Sequence, residues 1–380
     1  MATKIFSWIK QEIVFVISFL LALGSSIFVL AQKNSVDFLN AIDFRVISIL
    51  LSLMLVIAGF QNLGVFSFCA KKLCGKVKNL RTLSLTLILL CFFSSMLITN
   101  DVALITFVPF AILILKQTDN LKFSAFIIVM QTIGANLGGI LTPLGNPQNL
   151  FLYSKMQITL FDFIKILFPY CALSFILILI FNLFIPKKQI EQNFENTNSQ
   201  ISFSKKNIKS IILFCALFIL CLLTVLNIIQ FYFVLLIVFL SVFIFNKKLL
   251  LDADYILLLT FVCFFIFTNN ISNIEVIKNF LVNLIFQKEF FVSLLTSQII
   301  SNVPAALLLQ PFSKNLTELL LGVNIGGLGT LIASLASLIS FKIYSKEKDL
   351  NIKTFFITFT FLNLIFLAIL ILFHLFMRSL

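Results

Sequence analysis

The sequence predicts an all-α polytopic membrane protein: about nine spanning helices and two re-entrant hairpins, arranged as two repeats of inverted topology. Three observations carry this expectation. Hydrophobic residues make up 60% of the chain and charged residues only 11%, with a mean hydropathy of +1.11, whereas a water-soluble domain carries about 25% charge. Eight of the twelve glycines fall in two windows, GANLGGILTPLGNPQN from Gly134 to Asn149 and GVNIGGLGT from Gly322 to Thr330. Polar signatures also recur at fixed spacing. Ile98, Thr99, Asn100, Ala103, Pro109 and Phe110 return 202 residues later as Ile300, Ser301, Asn302, Ala305, Pro311 and Phe312; Asn136, Gly138, Gly139 and Thr142 return 188 residues later as Asn324, Gly326, Gly327 and Thr330.

A segment that crosses about 30 Å of hydrocarbon needs roughly 20 apolar residues. The first, near 12–31, has no small-residue cleavage site behind it and reads as a retained helix rather than a signal peptide. A second lies near 44–68. The apolar region 82–115 is two short arms joined at a polar tip, Thr99-Asn100-Asp101, and reads as a hairpin. Region 121–153 contains the first glycine window, where a spanning helix should be continuous. Unwound backbone at membrane depth is tolerated only where protein buries it or it lines a cavity, so this is a broken helix. A closing helix near 163–185 completes a first repeat, 1–185, and the Asn-, Gln-, Ser- and Lys-rich stretch 186–208 is a cytoplasmic linker. An extra connecting helix at 209–229 precedes the second repeat, 230–380. That repeat holds helices near 231–246 and 254–271, a hairpin at 290–313 with its tip at Ser301-Asn302, a broken helix at 315–341 and a closing helix near 355–377.

The basic residues test this order. With Lys4 and Lys10 in the cytoplasm, the clusters Lys71 to Arg81, Lys187 to Lys209, Lys247 with Lys248, and Lys342 to Lys353 all fall on one side if both hairpins return to the side they entered. The C-terminus is then outside, and the extra helix inverts the second half relative to the first. Placement between apolar segments also explains the net charge of +13 without a nucleic-acid partner. Seven dispersed cysteines with no CxxC pair indicate neither disulfides nor a metal site. The single histidine, His374, sits near the end of the last apolar segment and reads as satisfied or interfacial.

The candidate binding residues are those that interrupt helices. At each hairpin tip a helix begins whose free N–H groups carry partial positive charge, with Thr99 or Asn100, and Ser301 or Asn302, as caps. The broken helices offer carbonyls near Asn136, Gly138 and Gly139, and near Asn324, Gly326 and Gly327, with restarts near Thr142 and Thr330; Asn146 lies in the first restart. Helix ends of both polarities are thus expected to meet near the midplane, which binds an anion and a small cation without a buried lysine or arginine. Thr99, Asn100, Gly139, Ser301, Asn302 and Gly327 are the candidate sodium ligands. Asp101, an acid at a membrane-embedded tip, is a functional residue by default, and Val303 stands at the matching position. No enzyme is indicated, because intramembrane acids, histidines and paired nucleophiles are scarce, and no GxxxxGK[ST] loop points to ATP.

The stretches TNDVALITFVP, GANLGGILTPLGNPQN, SQIISNVPAALLL and LGVNIGGLGT resemble the citrate transporter-like domain of the ion transporter superfamily, over nearly the whole chain. That group includes arsenite permeases, sodium-coupled carboxylate carriers and sodium/proton antiporters, and the tip and LTPLGNPQN forms are most similar to a bacterial inner-membrane branch of anion permeases. The resemblance implies an elevator-type secondary transporter of a small anion, coupled to sodium or protons, that works as a homodimer in the inner membrane and uses no cofactor. In the carboxylate carriers, Ser-Asn-Thr at both tips contacts carboxylate and sodium. Here Asp101 and Val303 replace the threonines, so only Asn100, Asn302 and the preceding hydroxyls carry over. The departure leaves two alternatives open: sodium/proton antiport through Asp101, and arsenite or antimonite efflux.

Overall fold

The computed structural model describes residues 12–31, 38–190 and 205–379. The core of the expected linker, 191–204, lies outside these residues, as do Lys4 and Lys10. The described residues form helices joined by loops and turns, with no strand apart from one isolated β-bridge between Asn79 and Gln189. Nine helices among the described residues are long and apolar enough to cross a membrane, which makes this an all-α polytopic membrane protein.

The first half runs through α1 (Ile13–Ala31), α2 (Phe44–Asn62), α3 (Val65–Cys74), α4 (Leu80–Ser94), α5 (Asn100–Gln117), α6 (Ser124–Gly139), α7 (Pro147–Met156) and α8 (Leu160–Asn182). After α9 (Lys205–Val225) come α10 (Phe231–Asn246), α11 (Tyr255–Ser272), α12 (Glu275–Ile285), α13 (Glu289–Ile300), α14 (Asn302–Leu309), α15 (Leu316–Ile325), α16 (Leu335–Lys346) and α17 (Ile352–Ser379). The sequence expects restarts near Thr142 and Thr330, but α7 restarts only at Pro147 and α16 only at Leu335, after a 3-10 turn over Leu331–Ala333. Helices α4 and α5 meet at the 95–99 tip, α13 and α14 meet at Ser301, and α6/α7 and α15/α16 are each separated by non-helical backbone.

Three further features differ from the sequence expectation. The helix expected over 44–68 ends at Asn62, because Gly64 takes a left-handed φ of 71° and starts α3 in a new direction. A second short helix, α12, precedes the second hairpin and joins α13 through a 108° bend. The nine spanning candidates also differ in membership. They include the 18-residue α5, expected only as a hairpin arm, and omit 315–341, whose pieces α15 and α16 have 10 and 12 residues. At 1.5 Å per residue α5 measures about 27 Å, yet it starts at Asn100, which is buried inside the bundle.

Matched glycines set the close packing inside each half. A Cβ on Gly138 would lie 2.0 Å from the Phe92 carbonyl oxygen, and one on Gly134 3.4 Å from that of Ile88. A Cβ on Gly326 would lie 2.9 Å from Leu294 Cα, and one on Gly322 2.4 Å from the Phe290 oxygen. Phe92 and Leu294, like Ile88 and Phe290, are 202 residues apart, so the same helix contact is made twice. Small residues four apart are how membrane helices bring backbones together.

Candidate functional site

At both tips an asparagine side chain, not the preceding hydroxyl, caps the second arm. Asn100 Oδ1 accepts the Asp101 N–H at 2.9 Å, and Asn302 Oδ1 accepts the Val303 N–H at 2.9 Å. Thr99 and Ser301 make no cap bond. With the oxygens engaged, the amide nitrogens point inward: Asn100 Nδ2 donates to Asn136 Oδ1 at 2.9 Å, and Asn302 Nδ2 faces Gly327. Ser301 holds φ 77° and ψ 154°, a region almost reserved for glycine that costs about 1–3 kcal/mol. Strain of this kind persists where the surroundings enforce it, here at a fully buried tip.

Each tip is tied to the broken helix of its own half by corresponding bonds. The Thr142 hydroxyl donates to the Met96 carbonyl, and the Thr330 hydroxyl donates to the Gln298 carbonyl at 3.0 Å. Met96 and Gln298 are again 202 residues apart. The Asn100 N–H donates to the Gly145 carbonyl at 3.0 Å, and the Ser301 hydroxyl reaches the Ala333 carbonyl at 3.5 Å. Loose carbonyls of the unwound segments are collected by one amide each. Asn149 Nδ2 serves Gly139, Ile140 and Thr142, while Gln298 Nε2 serves Gly326 at 2.7 Å and Leu328 at 3.0 Å. This is the internal satisfaction that irregular backbone needs away from water.

The two halves then exchange bonds. Asn136, on α6, accepts from Ser334 at 2.9 Å and donates to Ser337 at 3.4 Å, both in the restart of the opposite broken helix. Asn324, on α15, donates to Asn149 Oδ1 at 2.7 Å and accepts from Gln148 at 3.3 Å. Ser337 stands 188 residues after Asn149, the same spacing that separates Asn136 from Asn324. Both asparagines are buried.

A path of hydrogen bonds, continued through the Ala333–Ser334 peptide, therefore touches all four interrupted helix starts. It runs from Gly145, just before α7, to Asn100 at the head of α5, through Asn136 to Ser334 at the head of α16, and by Ala333 to Ser301 at the head of α14. Free N–H groups and aligned peptide dipoles at such ends favour negative charge. The path contains no lysine or arginine. Two acceptors beside it are unspent: Asn146 Oδ1 and Asp101 Oδ1 are buried without a hydrogen-bond partner. Asn146 Oδ1 lies close against Gly139, where an added Cβ would meet it at 3.0 Å. Asp101 lies outside the asparagine path and within electrostatic reach of Asp254, the N-cap of α11. Asp254 and Lys342 also act on Glu12, whose carboxyl is pushed up by burial and by Asp254 and pulled down by Lys342.

Thr99, Asn100, Gly138, Gly139, Thr142 and Asn146 thus lie together around the first tip, and Ser301, Asn302, Gly326, Gly327 and Thr330 around the second, with Asn136 and Asn324 between the halves. The sequence reading missed Gln148, Asn149, Gln298, Ser334 and Ser337. Gln148 and Asn149 were visible as the polar end of the PLGNPQN stretch, and Ser334 and Ser337 as the counterparts of Asn146 and Asn149 at the 188-residue spacing.

Nine spanning candidates, paired hairpins and paired broken helices interlocked through buried amides define a polytopic membrane transport protein. Comparison with known proteins identifies which one: the citrate transporter family matches residues 2–320, and the chain belongs to that family. It is 31% identical over 331 residues to an uncharacterized transporter of Methanocaldococcus jannaschii, covering 87% of this chain and 89% of the relative. It is 29% identical over 333 residues to the inner membrane protein YbiR of Escherichia coli, covering 87% of each. A shorter similarity, 28% over 148 residues, relates 39% of the chain to 30% of the silicon efflux transporter LSI3 of rice.

Proposed function

We propose that the chain is a secondary active transporter that moves a small anion, carboxylate-like or an inorganic oxyanion, across the bacterial inner membrane in exchange for the free energy of a sodium or proton gradient. The observation that carries the reading is the path joining Asn100, Asn136, Ser334 and Ser301 at four helix starts. It supplies N–H groups and positive dipole ends to an anion at membrane depth without a fixed cation that would hold it too tightly to release. Asn302 Nδ2, facing Gly327, adds a donor. The first half supplies the coupling ion's side: Asn146 Oδ1 is an unspent acceptor near Gly139, and Thr99 and Asn100 stand at the adjoining tip. The matched contacts support two related halves; the placement of the basic clusters supports inverted topology with the N-terminus inside and the C-terminus outside, and the family resemblance supports an elevator-type cycle. The family resemblance supports a homodimer.

The test is charge movement by purified protein in proteoliposomes, screening carboxylates, inorganic anions, arsenite and soluble silicon with and without sodium. Asn100→Ala and Asn302→Ala are expected to abolish the response while leaving the protein folded and inserted; full retained transport in both would refute the site. A second reading, sodium/proton antiport, is favoured by one observation: the buried, unpartnered Oδ1 of Asp101 at the first tip. Its signature is a sodium-driven pH change inside the vesicles that disappears in Asp101→Asn. The rice relative's name keeps metalloid efflux within the screen, and resistance conferred on an arsenite-sensitive strain distinguishes it.

A further inference from the structure

His374, the one histidine of the chain, lies 2% exposed near the end of α17, where both halves of the protein meet. Tyr170 of α8 hydrogen-bonds its Nδ1 at 2.9 Å. Glu318, in the first turn of α15, places Oε2 3.2 Å from its Nε2. Phe290 of α13 stacks on the ring with centroids 3.7 Å apart and planes 14° apart. Arg378, one turn further along α17, acts electrostatically on Glu318. The other helices against α17 add little charge. Helix α6 (SAFIIVMQTIGANLGG) has no ionisable side chain. On α8, Asp162 and Lys165 are exposed, and on α16, Tyr344 packs on Phe355 at the opposite end of α17, with Lys342 and Lys346 beside it in sequence. Glu289, next to Phe290, is buried, and Lys288 and Lys314 lie at the ends of the neighbouring loops.

We propose that His374, Glu318 and Tyr170 form a proton-binding site, separate from the hairpin tips, whose occupancy clamps the second hairpin and the head of its broken helix to α8 and α17. The site takes up and releases a proton without moving a heavy atom. In the neutral imidazole one ring nitrogen donates and the other accepts. Here Nε2 lies 3.2 Å from Glu318 Oε2 without a formed hydrogen bond, and Nδ1 accepts the Tyr170 hydroxyl. A proton from solvent adds to Nδ1, and the Tyr170 hydroxyl rotates to accept from it. Nothing else is exchanged: one N–H bond forms, and the site gains one positive charge. The imidazolium then pairs with Glu318, so a half-buried carboxylate facing a neutral ring becomes a neutral pair. Breaking a buried pair is far costlier than breaking a contact to a neutral ring, and imidazole is the side chain that changes charge near neutral pH. Because Glu318 and Phe290 belong to the second broken helix and hairpin while Tyr170 and His374 belong to the closing helices of the two halves, the proton sets how freely these elements part. This clamp does not depend on what the hairpins carry.

The chain's single histidine gives the test a direct readout. Full-length protein labelled with 15N-histidine in lipid nanodiscs yields one imidazole to follow by NMR. Its ring nitrogens are expected to report reversible protonation on acidification, and Glu318→Gln is expected to change that response. In parallel, the protection factors of amide hydrogen exchange across residues 289–325, corrected for the intrinsic pH dependence of exchange, should be several-fold higher at pH 5 than at pH 8 in the native chain, with the difference lost in His374→Gln. An imidazole that stays neutral on acidification, a response untouched by Glu318→Gln, or a pH-dependent protection factor that persists in His374→Gln overturns the proposal. If His374→Gln does not fold, Glu318→Gln carries both readouts. None of these measurements involves transport, so their failure is distinct from failure of the anion reading.

Discussion

The bond between Asn136 and Ser334 offers the sharpest test of how the halves interlock. Asn136→Ala leaves two buried donors without an acceptor, Asn100 Nδ2 and the Ser334 hydroxyl. At about 1–3 kcal/mol for each stranded group, the loss is about 2–6 kcal/mol. Ser334→Ala removes only one of the two donors to Asn136 Oδ1, and Asn100 still satisfies that oxygen, so its cost is about 0.5–1.5 kcal/mol. In the double variant the Ser334 hydroxyl is no longer there to be stranded. The combined cost should therefore fall short of the sum of the singles by about 1–3 kcal/mol. Equilibrium unfolding of the native chain, both singles and the double in mixed detergent–lipid micelles gives the coupling directly. Additivity within about 0.5 kcal/mol would show that the two halves do not share this bond. The related cycle at Asn324 and Asn149 is less clean, because Asn149 also holds three carbonyls.

Gly138→Ala forces a methyl to 2.0 Å from the Phe92 carbonyl oxygen and is expected to cost about 1–3 kcal/mol or more, read as loss of folded protein by size-exclusion chromatography, whereas Gly24→Ala, with nothing within 4 Å, should behave as native. Gln298→Leu strands the Gly326 and Leu328 carbonyls and the Thr330 N–H; faster hydrogen exchange should appear around 326–330, with α4 to α6 unchanged. Asp349→Ala breaks an ion pair whose partners are 57% and 56% exposed, and thermal unfolding should register a change below about 1 kcal/mol.

What was legible in the sequence is whatever interrupts an apolar run. Pro143 and Pro147 interrupt one apolar run, and the duplicated Thr99-Asn100 and Ser301-Asn302 announce tips, whereas α6 runs unbroken through Gly138 and Gly139 and unwinds only beyond them. What the sequence hides is of three kinds. Helices α3 and α12 have 10 and 11 residues, too short for a count of spanning segments to notice, and their one-sided apolar faces look like the flanks of longer runs. The membership of the nine spanning candidates depends on where α5 begins, which is set by the Asn100 bond to Gly145 rather than by composition. Gln298 is a lone polar residue in an apolar arm; its role as the hub for three backbone groups exists only once Gly326 to Thr330 unwinds beside it.

The exchange of partners between Asn136 and Ser334 also has a history in time. The two residues are 198 positions apart, and at about 5–20 residues per second a ribosome needs roughly 10–40 s to make the second after the first. Through that interval the first broken helix lies in the bilayer with its central amide lacking its partner from the far half, and the second half in turn arrives to find Gln148 and Asn149 already waiting for Asn324. Closure of this interlock is therefore a late, single event that no nascent fragment ending before Ser334 can complete, and a chain stalled upstream of that point presents the quality-control machinery with an open polar seam rather than a smaller closed bundle.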